Sequence, residues 1–264
     1  QIAQDAKRGG AELLLTPELC LPGFHVFGRR GFSSSPEAVE SQISQIALQE
    51  GIALCVGYAE KQTGSDAFWN TALLVDARGD CKLRYRKHHL WGNEGNLGLA
   101  ASSEDLEVVE LVLPGPPSCV VRTSMLICYD VEFPEMVRIL ACKPRCVELL
   151  LVPTALPYTE PNAATKIVPA RAMENRIFIG YCNYPCLQRV DGEYFCGHSL
   201  FAGPDGNIIG GPLDWSAEEL LLCKVQWTEH LTWLVSETPY LQDRRPEFYR
   251  SQGHCQAGLD PLEG

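Results

Sequence analysis

The feature that most constrains this chain is a repeated alternation of apolar, strand-like runs with helical stretches in its second half. Apolar runs at residues 120–128 and 147–152 flank a helical stretch at 134–142. A helical segment at 163–176 and an apolar run at 177–183 repeat the order. A strand, a helix and a second strand in this order usually give parallel neighbours in one sheet. The pattern therefore predicts an α/β protein.

The first half of the chain is predicted to form an antiparallel meander beside a surface helix. Residues 52–60, 68–76 and 82–85 are β-rich, and an Ala-Arg-Gly-Asp turn separates the last two runs. Residues 36–50 carry apolar side chains at near-helical spacing, with Pro36 placed for a first helical turn. These runs predict a mixed sheet and an amphipathic helix.

The remaining elements are shorter, and no internal repeat or linker divides the chain. Strands are expected at 12–16, 199–202, 208–210 and 220–225, and the opening 1–10 reads as the end of a helix. We expect residues 1–264 to form a single domain that ends in a polar arm at 239–264. Because Gln1 is not an initiator methionine and 1–10 reads as the end of a helix, a segment upstream of residue 1 is also expected.

Charge and composition narrow the class of partner. The formal net charge is −11 and the pI is about 5.0, which opposes binding to nucleic-acid phosphates or anionic membranes. No apolar stretch approaches the roughly 20 residues that span a bilayer. The cysteines are scattered through apolar segments, as reduced, buried thiols are. A cytoplasmic protein with a small-molecule partner is predicted.

Three segments each place a reactive side chain where an apolar run ends. They carry Glu18, Lys87 and Cys128. A cysteine between a strand and a helix lies where α/β sheets present ligands and where helix amides lower a thiol pKa. A thiol reacts as the thiolate, so a base and an oxyanion stabiliser are required. Glu18 offers a carboxylate for the proton, and Lys87 offers an ammonium for the oxyanion.

These segments resemble the three signature segments of the nitrilase superfamily of carbon-nitrogen hydrolases. In the family's order they read Pro17-Glu18-Leu19, Tyr85-Arg86-Lys87-x-His89-Leu90 and Ile127-Cys128-Tyr129-Asp130-x-x-Phe133-Pro134-Glu135. The likeness continues through residues 152–155, 171–176 and 203–206. It implies a four-layer αββα sandwich with mixed sheets that forms a homodimer or a larger homo-oligomer through its helices. It also implies that the family's first strand would precede Gln1.

The resemblance also implies a role for each site residue. Glu18 would be the general base, Lys87 the oxyanion stabiliser and Cys128 the nucleophile that becomes a thioester. The backbone amide of Tyr129 would be a second oxyanion donor. Glu94 would be the further glutamate that positions the substrate or assists proton transfer.

The loop after Glu94 departs from the family pattern. The family usually has an arginine directly after this glutamate and an aromatic residue three positions later, where this chain has Gly95 and Gly98. We therefore expect a looser loop at this side of the pocket.

The implied activity is hydrolysis of a small aliphatic carboxamide to acid and ammonia, with no cofactor and no metal. Within the superfamily, residues 128–135, 181–184 and 239–243 look most like amidases that act on ω-amino amides such as 5-aminopentanamide. Glu132 either contacts an amine on the substrate or favours a helix start electrostatically. Alternatives are a nitrilase, an N-carbamoyl amine hydrolase, and a catalytically impaired homologue acting as an interaction protein.

Two other patterns invite different interpretations. His88 and His89 suggest a Cys-His protease, but adjacent residues of a strand point to opposite faces, and no second feature supports it. His89 is interpreted as structural. The spacings Cys142-x-x-x-Cys146 and Cys182-x-x-x-Cys186 lack the two-residue gap and histidine pair typical of zinc sites.

Overall fold

Two mixed β-sheets form the centre of the structure, a computed structural model that describes residues 1–24, 35–187, 192, 194–216, 219–227 and 239–252. The strands of the first sheet are β1 (Leu13–Leu15), β2 (Ala53–Lys61), β3 (Phe68–Val75), β4 (Cys81–Arg86) and β5 (Leu99–Ala100). β2, β3 and β4 are antiparallel, which confirms the predicted meander, while β1 is parallel to β2 and β5 to β3.

The second sheet contains the predicted parallel strands. Its members are β6 (Val109–Leu113), β7 (Cys119–Met125), β8 (Leu149–Pro153), β9 (Phe178–Cys182), β10 (Leu200–Ala202) and β11 (Ile208–Gly210). The strand order runs from β6 to β11, and β7, β8 and β9 are parallel neighbours. The alternation of strands and helices therefore predicted the centre of this sheet correctly.

Helices cover the outer face of each sheet. Those beside the first sheet are α1 (Ile2–Arg8) and α2 (Pro36–Glu50), and those beside the second are α3 (Pro134–Ala141) and α4 (Val168–Asn175). Helix α2 begins where the Ser35 hydroxyl accepts a hydrogen bond from the Ala38 amide at 3.2 Å, and it ends at Gly51 in the left-handed conformation.

The two sheets pack against each other, which buries β2 on both of its faces. Leu54, Val56 and Tyr58 point towards α1 and α2, whereas Ala53 and Cys55 join the core between the sheets. A strand buried on both faces reads as a continuous apolar run because neither face meets water. The layers follow the order helix, sheet, sheet, helix, and this confirms the αββα sandwich.

Several details differ from the sequence prediction. Residues 220–225 form no strand: Leu222 is 53% exposed and lies against Gly9 at the end of α1. The helix predicted at 163–176 begins with a π-helical turn, Ala163–Ile167, before α4. β6 was not predicted, although its residues alternate between exposed and buried positions along an edge strand.

Part of the predicted polar arm lies outside the described residues, at 253–264. The described part contains a short helix, Pro246–Ser251, and contacts the C-terminal ends of α3 and α4. The Arg176 guanidinium lies 4.2 Å from the centre of the Tyr240 ring, and Arg244 contacts the Cys142 sulfur at 2.9 Å.

Candidate active site

Glu18 lies on a tight turn that follows β1 and is only 1% exposed. The turn crosses β2 at Gly57, where a Cβ atom would stand 2.5 Å from the Pro17 carbonyl oxygen. Any larger residue at position 57 would push the turn away. The Glu18 amide donates to the Thr154 carbonyl at 3.2 Å, beyond the end of β8. Glu18 is therefore held between the two sheets.

Lys87 directly follows β4 and its side chain is completely buried. Its ammonium group donates to Glu18 Oε1 at 2.7 Å and to Glu94 Oε1 at 2.8 Å. The side-chain amide of Asn70 also donates to Glu18 Oε1, at 2.6 Å. Burial alone disfavours the charged lysine, but the Glu18 and Glu94 carboxylates outweigh it and raise the pKa of Lys87 well above its ordinary value. A fixed positive charge therefore lies between two carboxylates.

Cys128 follows β7 as the first residue of a 3-10 turn, Cys128–Glu132, with a φ of +47°. A left-handed conformation is strained for a residue other than glycine, and such strain is concentrated at functional sites. The sequence predicted a lowered thiol pKa, and this is wrong. Burial raises the pKa of Cys128 well above its ordinary value, and the Glu18 carboxylate raises it further against the opposing Lys87 charge. The resting thiol keeps its proton at neutral pH, so attack requires a base.

Asp130 joins the lysine segment to the cysteine turn, a role that the sequence did not predict. This buried carboxylate accepts hydrogen bonds from the Tyr85 hydroxyl at 2.7 Å and from the His89 amide at 2.8 Å. The Ile127 amide, on the other side of Cys128, donates to it at 3.3 Å. His89 also contacts Asp130 through Nδ1 and stacks on Phe133 at 3.9 Å, so its role is structural.

Glu94 begins a 3-10 turn, Glu94–Leu97, and is 3% exposed. Its second oxygen accepts from the Trp91 amide at 2.9 Å, so both carboxylate oxygens are held. Burial, aided by the neighbouring Glu18 charge, raises the pKa of Glu94 despite the nearby lysine. Gly98 closes the turn with a φ of +87°, a conformation that an aromatic residue would adopt only with strain.

A cleft of about 250 Å³ opens over these groups. Glu18 contributes to its wall, and its buried Oε2 atom has no hydrogen-bond partner among the residues that the structure describes. An unpaired buried acceptor costs free energy unless a donor from a ligand satisfies it. The cleft is lined by Glu18, Phe24, Trp91, Glu94, Cys128, Tyr129, Glu132, Ala155, Leu156, Pro157 and Glu160. The structure thus brings every sequence-predicted site residue except the fully buried Lys87 to the lining of one cleft, and Lys87 lies behind Glu18 and Glu94.

Glu132 and Glu160 place two carboxylates on the cleft wall. Burial raises the pKa of Glu132, and the negative charge of Glu160 raises it further. Arg171, on α4, uses its guanidinium to bind the backbone carbonyls of Val131 and Glu132, at 3.2 and 2.7 Å, rather than the Glu132 carboxylate. Glu160 was missed because a lone glutamate in a loop carries no sequence signal.

In the part of the chain that the structure describes, no group of three or more histidine, cysteine or acidic side chains is arranged to hold a metal ion. Among the same residues, no helix is both long enough and apolar enough to cross a membrane.

Comparison with known proteins identifies the family. A model of the family described as carbon-nitrogen hydrolase matches residues 1–229. The chain therefore belongs to the carbon-nitrogen hydrolases of the nitrilase superfamily, as the motifs predicted, and it is a hydrolase that acts on carbon-nitrogen bonds.

Curated relatives and solved structures cover most of the chain. A Pseudomonas protegens protein described as a hydrolase in the pqqF 5′ region is 34% identical over 94% of this chain and 82% of its own length. A 2-oxoglutaramate amidase from Paenarthrobacter nicotinovorans is 28% identical over 93% and 82%. The amidase from Nesterenkonia sp. AN1 has a TM-score of 0.78 at 33% identity, over 95% of this chain and 89% of that chain. In one structure of that amidase, a Glu→Gln variant, acrylamide is joined to the active-site cysteine by Michael addition.

Proposed function

We propose that this protein is an amidase that hydrolyses a short primary carboxamide to the acid and ammonia through a thioester on Cys128. The observation that carries the proposal is the buried Lys87 ammonium, held 2.7 Å from Glu18 and 2.8 Å from Glu94 behind a cleft that Cys128 lines. The family membership and the amidases among the similar proteins support the same activity.

The proposed mechanism begins with transfer of the thiol proton to Glu18 as the sulfur attacks the amide carbon. Charge then develops on the carbonyl oxygen, where Lys87 and the backbone amide of Tyr129 stabilise it. In the first turn of a helix the amides lack a carbonyl partner within the helix, which suits the Tyr129 amide to this role. The protonated Glu18 then gives this proton to the leaving nitrogen, and ammonia departs as the thioester forms.

Hydrolysis of the thioester repeats these roles with water. Glu18 takes a proton from the water as it attacks, and the thiolate of Cys128 leaves and regains that proton. Glu94 holds the lysine from the opposite side, and its raised pKa suits it to positioning the substrate or assisting proton transfer. No described residue hydrogen-bonds Glu18 Oε2, so this atom suits an N–H or O–H donor of the substrate or of water.

The substrate is proposed to carry a cationic amine at its far end, as in 5-aminopentanamide. Within the described residues, Glu132 and Glu160 have no ion-pair partner, and both face the cleft. An ammonium group would compensate their charges, whereas the carboxylate of an ω-dicarboxylate monoamide would be repelled. Two of the similar proteins are named 2-oxoglutaramate amidases, so this proposal separates the present chain from them.

Comparison of ω-amino, neutral and acidic amides tests the substrate proposal. We expect kcat/KM for 5-aminopentanamide to exceed that for pentanamide by about tenfold or more, with glutaramate and a matched nitrile lower still. Glu132→Gln and Glu160→Gln should each erase most of the preference, while Glu135→Gln, an exposed position outside the cleft, should keep it. Because the pKa of Glu132 is raised, the preference should weaken as the pH falls through that raised value.

The result also decides between the alternative activities. Equal rates for charged and neutral amides would remove the amine-recognition proposal and leave the amidase intact. Ammonia release from nitriles or N-carbamoyl amines, but not from amides, would contradict the amidase itself. No turnover of any of these compounds would favour an interaction protein.

We further propose a homodimer or larger assembly in the cytoplasm. Ile139 on α3 and Met173 on α4 are 49% and 40% exposed, and the exposed Tyr240 of the arm adds apolar surface beside Arg176 at the end of α4. A second copy covering this surface would bury these side chains. Light scattering should give at least twice the monomer mass, and Ile139→Asp should lower it; a stable, active monomer would contradict the proposal.

All cysteines in the described residues are free thiols, which is compatible with the reducing compartment of the cytoplasm.

A further inference from the structure

The Tyr184 hydroxyl connects two parts of the cleft that lie about 160 residues earlier in the chain. Tyr184 follows β9 and is 7% exposed. Its O–H donates to the Glu18 carbonyl at 2.8 Å, and its oxygen accepts from the Phe24 amide at 3.1 Å. Phe24 lines the cleft, as Glu18 does. One hydroxyl therefore contacts the backbone of both residues.

The backbone around Glu18 requires such support. Leu19, directly after Glu18, has a φ of +47°, which is strained for leucine. The Glu18 amide is already bound to the Thr154 carbonyl, so Tyr184 secures the other side of the same residue. With both backbone groups of Glu18 bound, rotation of its peptide planes is restricted, and the direction of its side chain is restricted with them.

The aromatic ring of Tyr184 is held independently of its hydroxyl. It stacks on Phe195 with ring centres 4.7 Å apart, and Phe195 packs edge-on against Phe24 at 6.0 Å. Removing the oxygen alone would therefore leave the ring in its packed position. The hydroxyl and the ring have separable effects.

We propose that Tyr184 is a positioning residue that aims the Glu18 carboxylate at Cys128 through its hydrogen bond to the Glu18 carbonyl. It acts through Glu18 and does not touch the reacting atoms. Its kinetic consequence rests on the proposed amidase function, but its effect on the geometry around Glu18 does not. This role is distinct from the direct contacts that Lys87 and Asn70 make with the carboxylate itself.

Tyr184→Phe tests the role with Tyr58→Phe as its matched control. Tyr58 is also a buried tyrosine whose hydroxyl donates a hydrogen bond, to Glu40 at 2.6 Å, but it lies on the helix side of the first sheet. Both variants should lose thermal stability to a similar extent. Only Tyr184→Phe should lower kcat, by about 10- to 100-fold with KM within about threefold, because misplacing a catalytic group by a fraction of an ångström slows the chemical step.

A second measurement, the pH profile of acrylamide addition to Cys128, decides the proposal without amide turnover. Among the described residues, the charged groups that act on this thiol are Glu18, Lys87 and Glu94; the Ala155 backbone forms a hydrogen bond with it, and Tyr181 lies near it. If Tyr184 positions Glu18, the midpoint of the Tyr184→Phe profile should move to lower pH, in the direction of Glu18→Gln. If Tyr184→Phe has the same pH profile and the same kcat as the wild type, the positioning role is overturned. A loss of activity confined to longer amides that reach Phe24 would overturn it as well. An inactive wild-type protein would contradict the amidase proposal alone, since the addition profile would still report on Tyr184.

Discussion

Replacing Cys128 with alanine is expected to abolish ammonia release from amides while the protein remains folded. No other thiol lines the cleft among the described residues, so the acyl group would have no acceptor. Loss of an essential nucleophile lowers turnover by roughly four orders of magnitude or more. Intact-mass measurement during turnover of the wild-type protein should show an acyl adduct, and peptide mapping should assign it to Cys128.

Cys55→Ala is the matched control for this experiment. Cys55 is also buried and free, but it lies between the sheets beside Met125 and outside the cleft. Its loss should reduce stability and leave kcat unchanged. An acyl adduct on a different cysteine, together with activity in Cys128→Ala, would contradict the assignment. Simple alkylation at neutral pH cannot replace the acyl-adduct measurement, because the raised pKa of Cys128 slows its own labelling while exposed thiols such as Cys142 and Cys146 are accessible.

The sequence predicted the fold class because the strand and helix patterns in this chain are local. The runs at β7, β8 and β9 and the helices between them follow from hydrophobic spacing alone. The segment 220–225 failed because an apolar, β-rich run predicts a strand only if a partner strand accepts it. Here Leu222 packs on Gly9 at the end of α1, and Cys223 lies against Gly210 at the end of β11. In this segment, tertiary packing takes the place of hydrogen bonding to a neighbouring strand.

The residues of the candidate site also fall into those that the sequence could predict and those that it could not. Glu18, Lys87 and Cys128 belong to short motifs, so the sequence identified them without showing that they meet. Asp130 binds atoms 41 and 45 positions earlier, and Tyr184 binds an atom 166 positions earlier. Side-chain hydrogen bonds at such separations leave no local pattern, and only the folded chain reveals them. The thiol pKa was predicted in the wrong direction because burial and the Glu18 charge, which the sequence does not display, outweigh the helix start.

Glu18→Gln is expected to lower amide turnover by about two to four orders of magnitude, since a general base contributes about that much. The substitution keeps the size of the side chain and the contact with Asn70, but it removes the carboxylate that takes the thiol proton. Glu60→Gln is the control, because Glu60 is a buried glutamate that pairs with Arg86 outside the cleft. A Glu18→Gln rate within about tenfold of wild type, a change of only about 1.4 kcal/mol, would mean that Glu18 is not the base.

The same variant should change direct addition to the thiol in the opposite direction. The negative charge of Glu18 raises the pKa of Cys128, whereas Lys87 lowers it. Neutralising Glu18 leaves Lys87 less opposed, so the thiol pKa falls and more thiolate is present at neutral pH. Acrylamide should therefore add to Cys128 faster in Glu18→Gln than in the wild type, with the midpoint of its pH profile at lower pH. The acrylamide adduct in a Glu→Gln variant of the Nesterenkonia amidase shows that such addition takes place in a similar protein. Slow amide turnover combined with fast acrylamide addition would separate the role of Glu18 as a base from general damage to the site. A decrease in both rates would indicate a collapsed cleft and would remove the evidence for proton transfer by Glu18.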